Sequence, residues 1–241
     1  MSSIAMSLWV ASMATAANLV AGVLLAWLLA YGRFRGRQLL DVVVNLPIVL
    51  PPTVVGYGLL LLVGRSGPVG GLMRALGWGT LIFTPYAAMM ASAIVSLPLL
   101  VQAARIALED VPVEVVEAAQ VDGAGRLAIL RHMLLPLAWP GVAVGVLLAF
   151  ARAMGEFGAT LMVAGNIPGR TQTMPVAIYA AVQAGHMNEA GQLSAMLVAL
   201  VGVVMWAGMR WGRRVPGWSP ARRTAGAPAR GAVAEPVRTP S

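Results

Sequence analysis

Cysteine and lysine are both absent from the 241 residues, and charge of either sign is scarce at 11%. Without cysteine there is no disulfide and no thiolate metal site. The two histidines, His132 and His186, stand far apart in sequence, so no metal cluster is expected. Without lysine the chain cannot supply a P-loop, whose lysine reaches the nucleotide phosphates. ATP and its Mg²⁺, if they drive anything here, must be handled by a partner, and no cofactor is expected on this chain. Soluble domains carry about a quarter charged residues; a chain 59% hydrophobic with mean hydropathy +0.78 is not one water-facing globule. No grouping of nucleophiles, acids and metal ligands marks an intramembrane enzyme. No internal repeat is visible either, which speaks against a secondary transporter built by duplication.

What remains is apolar sequence punctuated by arginine. A bilayer core of about 30 Å needs roughly 20 apolar residues in a helix. Residues 5–30, 42–63, 80–104 and 190–209 meet that length without a charge, and 141–165 meets it while carrying Arg152 and Glu156. The first stretch has no basic leader and is too long for a signal-peptide core, so it reads as a retained helix. With the N-terminus outside, Arg33, Arg35, Arg37, Arg105, Arg126 and Arg131 fall inside. So do Arg210, Arg213, Arg214, Arg222, Arg223, Arg230 and Arg238; only Arg65, Arg74 and Arg170 fall outside. That asymmetry orients an all-α, five-span bundle N-out and C-in. It also accounts for the net charge of +8 without a nucleic-acid partner. Residues 174–184 are apolar but too short to cross, and read as a re-entrant or surface helix on the outer side. The proline-, alanine- and arginine-rich end, 211–241, reads as a disordered cytoplasmic tail after a membrane domain over 5–210.

The inward loop 105–140 is the most patterned part outside the spans. Pro112 suits a first helical turn, and Glu114 and Glu117 suit the positive end of a helix dipole. A short helix is expected over Val113–Val121, closed by Gly123 in a left-handed cap. A second helix follows, with Leu127, Leu130 and Leu134 on one face, until Pro136 interrupts it. Such a hairpin either lies on the headgroups or enters a partner's groove. In span two, Pro47, Pro51 and Pro52, followed by Thr53, free the carbonyls of Val43, Pro47 and Ile48. Freed carbonyls must face protein or a wet cavity, so these residues are candidates for a pathway or gate; the alternative is a packing kink. Arg152 and Glu156 stand four apart, expected on one helix face as a mutually neutralising pair. Both, with Thr160, join the pathway candidates.

The stretch EAAQVDGAGRLAILRHMLLP resembles the EAA loop of ABC-importer permeases: Glu117-Ala118-Ala119, three residues, Gly123, and an apolar run ending Leu135-Pro136. The resemblance implies a type I ABC importer permease fold over roughly 5–210. It also implies that Glu117, Ala118, Ala119, Asp122, Gly123 and Ala124 make or shape the contact with a cytoplasmic ATPase. The run LPIVLPPTVVGYGLLLL and the segment FARAMGEFGATLMVAGNIPGRTQTMPVAIY resemble the same parts of molybdate permeases, with sulfate permeases sharing the plan. From that resemblance follow a non-catalytic subunit in the bacterial inner membrane, surrounded by lipid and acting as a homodimer. Two copies of an ABC ATPase and a periplasmic molybdate-binding protein, met by the outer loop 165–173, are its implied partners. Tungstate, sulfate or thiosulfate are the alternative cargoes; an ATP-independent channel or secondary transporter is the alternative class.

Overall fold

In hydrocarbon a helix is the one open-ended way for a segment to satisfy its own backbone polar groups. The computed structural model describes residues 2–212 as helices and their connections, with no strand among the described residues. The expected tail, apart from residues 211 and 212, lies outside them, and so do six of the arginines counted inside. In chain order come α1 (Ser3–Tyr31), α2 (Arg37–Val49), α3 (Pro52–Val63), α4 (Pro68–Ala75), α5 (Pro85–Glu109) and α6 (Val113–Val121). Then follow α7 (Arg126–Ile129), a π-helical turn (Leu130–Leu134), α8 (Leu135–Met154), α9 (Gly158–Ala164), α10 (Met174–Gln183) and α11 (Met187–Gly212).

The core is built on α1 and α5, which lie parallel. Near their first turns Met6 and Val10 pack with Ala87, Ala88 and Ala91. Near their last turns Ala26 and Leu29 pack with Leu100, Ala104 and Leu108. Small side chains let the two backbones approach. Between them the Asn18 amide donates to the Ala93 carbonyl and to Ser96 Oγ, both at 2.9 Å. α8 runs antiparallel to α5, Gly141 against Ala107 and Gly145 against Ala103, and its last turn also packs on Ala11 and Ala14 of α1.

Parallel α1 and α5 settle how α2 and α3 count. The chain leaves α1 at one face of the bundle and must enter α5 at the opposite one, so the segment between them crosses. Pro52–Ala75 is turned by 119° from α2, yet the pair makes one crossing. Its start is tied to the end of α5 by Asp41 and Arg105, and Leu59 packs near the other end with Met6 and Val10. Four long apolar helices plus this broken one give the five spans expected from the sequence.

The expectations at Pro136, for the bounds of the fourth span and at Pro51 and Pro52 are corrected. Pro136 does not interrupt its helix: the π turn just before it widens the backbone, and helical structure runs from Arg126 to Met154. The fourth span is therefore shifted toward the cytoplasm relative to 141–165, and it stops at Gly155. Pro51 and Pro52 are not inside a helix but open one, as the residue before α3 and its first residue. There proline's missing N–H leaves nothing unsatisfied. Pro47 alone stays inside a helix, α2. The short segment 174–184 is α10, ten residues or about 15 Å. It packs on α1 and α11, and the Met174 N–H donates to Ser7 Oγ at 2.7 Å.

Candidate functional site: the cytoplasmic loop and two broken helices

α6 occupies Val113–Val121 as the sequence predicts, with Pro112 immediately before it and Asp122 after it. Gly123 has φ +80°, its N–H donates to the Gln120 carbonyl, and the Ala124 N–H donates to the Ala119 carbonyl, each at 3.0 Å. Those two bonds form a Schellman cap, which satisfies the helix's last carbonyls and turns the chain sharply. The second helix starts at Arg126, so the turn costs only three residues after Asp122.

The faces of α6 divide the residues that the sequence grouped. Ala119 is 1% exposed and packs with Val116, Ile129, Leu130 and Leu134 in the core shared with Leu29 and Leu108. Glu114, Ala118, Val121 and Asp122 face outward, Val121 at 87% exposure, and Leu127 on the next helix is also bare. Glu117 lies on another face with Val113 and Gln120, lining a cleft beside the end of α1. The loop is thus a rigid finger rooted in the bundle through Ala119, with an apolar tip flanked by carboxylates. An apolar tip in water is what a docking surface needs.

The pathway candidates gather where two helices are broken. α2 gives way to α3 at Leu50–Pro51, and α8 gives way to α9 at Gly155–Phe157. The two breaks meet at Gly158, where any side chain would run into Pro52 and Thr53, 3.1 to 3.4 Å from the Cβ position. Glu156 is 2% exposed and sits within the second break. Its Oε1 accepts from the Ala159 N–H at 2.8 Å. Its Oε2 meets Arg152 Nη1 at 2.8 Å, in an ion pair without hydrogen-bond alignment. The expected pair therefore forms, though across the end of α8 instead of along one helical face. Arg152 keeps a third of its side chain exposed. Thr160 is fully buried, its hydroxyl 3.5 Å from that of Ser92. Pro47 is not at the meeting point.

Sequence reading missed a polar tether at the cytoplasmic end. Arg105 binds Asp41 and Glu109, each at 2.9 Å, and Gln102 donates to Asn45 Oδ1 at 2.7 Å. Asn45 in turn donates to Asp41. The i,i+4 spacing of Asp41 and Asn45 and the i,i+3 spacing of Gln102 and Arg105 were the available signal.

A family model described as "binding-protein-dependent transport system inner membrane component" matches residues 19–213. The chain belongs to this family. Among named permeases of the family, the molybdenum transport system permease protein ModB of Escherichia coli K12 is 46% identical over 198 residues, covering 81% of this chain and 86% of that one. The Haemophilus influenzae protein of the same name is 37% identical and covers 89% and 96%. The sulfate transport system permease protein CysT of Salmonella typhimurium is 34% identical, with 88% and 77% covered. The fold is shared with a bacterial ABC transporter involved in alginate import, at TM-score 0.71 and 18% identity over 89% of this chain and 79% of that one. It is shared too with the inward-facing MetNI methionine ABC transporter, at TM-score 0.61 and 20% identity over 88% and 91%. This permease is a multi-pass inner-membrane component of a transport system.

Proposed function

We propose that this permease carries molybdate inward as a homodimer, powered by a cytoplasmic ATPase pair and loaded by a periplasmic molybdate-binding protein. The observation that carries the reading is the rooted, Schellman-capped α6 in a chain 46% identical to a molybdenum transport permease. α6 is bonded into the α1–α5–α8 core through Val116 and Ala119, so a push on its exposed tip moves the bundle and not merely a loop. ATP-driven closure of the ATPase pair would open the path outward, and hydrolysis would return it inward. The neutralised Arg152–Glu156 pair suits transit: it offers an oxyanion a polar surface without a deep well that would delay release. The outer loop 165–173, with Arg170 exposed, supplies an outer surface for the binding protein.

The test is reconstitution of the permease with its ATPase and binding protein in liposomes. ATP-dependent molybdate uptake, with stimulation of ATP hydrolysis by loaded binding protein, is the expected result. Uptake that persists without ATP would replace this reading with a channel. Stronger competition by sulfate or thiosulfate than by molybdate would replace the cargo and leave the class standing.

A further inference from the structure

The polar tether at the cytoplasmic end joins two spans through one side chain, close to the start of α6. Arg105 Nη1 donates to Asp41 Oδ2 on α2, and Arg105 Nε donates to Glu109 Oε1 on its own helix, each at 2.9 Å. Glu109 is the last residue of α5, and α6 begins four residues later at Val113. The same end of α5 sends Leu108 into the core that roots Val116 and Ala119 of α6. Val44, the buried residue of α2, belongs to that core as well. A displacement of α6 therefore bears first on the last turn of α5, where one guanidinium is divided between two carboxylates.

Each half of the tether has a second partner to fall back on. Asp41 Oδ1 accepts from Asn45 Nδ2 at 2.8 Å, and Arg105 keeps Glu109 if it lets Asp41 go. Parting Arg105 from Asp41 thus leaves neither charge bare, and a pair at 21% and 35% exposure is weak enough to re-form. The far end of α2 is jointed. Pro51 and Pro52 carry no N–H, and the first N–H groups of α3, on Val54 and Val55, reach back only to the Pro51 carbonyl. α3 itself is fixed, with Gly56 against Ala159 and Met162 and Gly158 against Pro52 and Thr53. α2 buries Val44 alone among its residues and is clasped to α5 by Asp41–Arg105 and Asn45–Gln102. A helix jointed at one end and clasped by part-exposed polar pairs at the other can swing as a unit.

Resting on the transport reading above, we propose that Arg105 is a switchable clasp between the docking finger and the broken span. In the nucleotide-free complex it holds Asp41, and with it α2, against α5. When the ATPase pair closes and displaces α6, the last turn of α5 moves with it. Arg105 then stays with Glu109 and releases Asp41, which Asn45 retains. α2 pivots at Leu50–Pro51, beside the meeting of the two breaks at Gly158, and the motion of the finger reaches the pathway candidates. Arg105 is in this sense a positioning residue: it touches neither cargo nor nucleotide and acts through α2.

The cysteine-free chain lets cross-linking test the clasp in the full-length permease assembled with its ATPase. Asn45→Cys with Gln102→Cys, bridged by a short bifunctional thiol reagent, should cross-link readily without nucleotide. The yield should fall several-fold once the complex is trapped with ATP and vanadate. Equal yields in the two states overturn the proposal, whether or not molybdate is carried, so the clasp and the transport reading fail separately. A second measurement is ATP hydrolysis without binding protein, taken per bound ATPase. Arg105→Gln should raise it about fivefold, the release that loss of a part-exposed ion pair allows. Arg105→Lys keeps the charge without the fork and should give an intermediate rate. A merely structural role for Arg105 predicts an unchanged or lower rate in Arg105→Gln, and that result overturns the proposal.

Discussion

Gly123 and Glu156 are single residues on which local geometry turns, for different reasons. At Gly123 nothing lies within 4 Å of where a Cβ would sit, so a side chain meets only the left-handed backbone, a penalty of about 1–2 kcal/mol. Gly123→Leu should therefore leave the permease folded in the membrane while the turn after α6 is distorted. Co-purification with the ATPase should fall several-fold, and unchanged co-purification would remove the cap from the docking surface. Glu156 is the opposite case, because its carboxylate is buried, with one oxygen accepting from the Ala159 N–H and the other ion-paired to Arg152. Glu156→Ala strands the Ala159 N–H and the Arg152 guanidinium together. A loss of about 3 kcal/mol is expected, at the low end for a broken buried pair because Arg152 is one-third exposed. Glu156→Gln keeps an acceptor for Ala159 and should lose less. Equal midpoints for the two variants in thermal unfolding would show that the cap, and not the charge, is immaterial.

Among the elements, α2 is weakly held. Only Val44 of its residues is buried, and its apolar side chains at Val42, Val43, Leu46, Ile48 and Val49 are exposed. The Asp41–Arg105 and Asn45–Gln102 contacts are what fasten it to α5. Both partners of the ion pair are partly solvated, so a double-mutant cycle over Asp41→Asn and Arg105→Gln should give at most about 1 kcal/mol. The local effect should be larger than the global one. Amide exchange over 37–49 should quicken in Arg105→Gln while α5 and α8 stay protected. Unchanged exchange there would mean that packing alone secures α2. The prolines at 51 and 52 make this possible, since they detach α2 from α3 and let it be positioned by side chains.

For the whole molecule, the lack of native cysteine makes the five-span arrangement directly measurable. Ser66→Cys lies in the connection between α3 and α4 and should react with a membrane-impermeant maleimide in intact spheroplasts. Ala124→Cys, after α6, should react only once the membrane is opened. The reverse pattern would invert the orientation, and labelling of both from outside would mean that α2 and α3 do not cross. Parallel packing of α1 and α5 requires the two positions to label from opposite sides of the membrane.

Length and polarity alone were enough for some of this. A run of about 20 apolar residues has one stable state in a bilayer, so helix content and span number were legible in the sequence. Arginine placement gave the orientation, and local backbone rules located α6 and its glycine cap, because caps depend on neighbours within five residues. The meeting of the two breaks at Gly158, the division of the faces of α6 and the tether from Asp41 to Arg105 were not legible. Each joins residues tens of positions apart, and which side chains meet is set by how the helices pack.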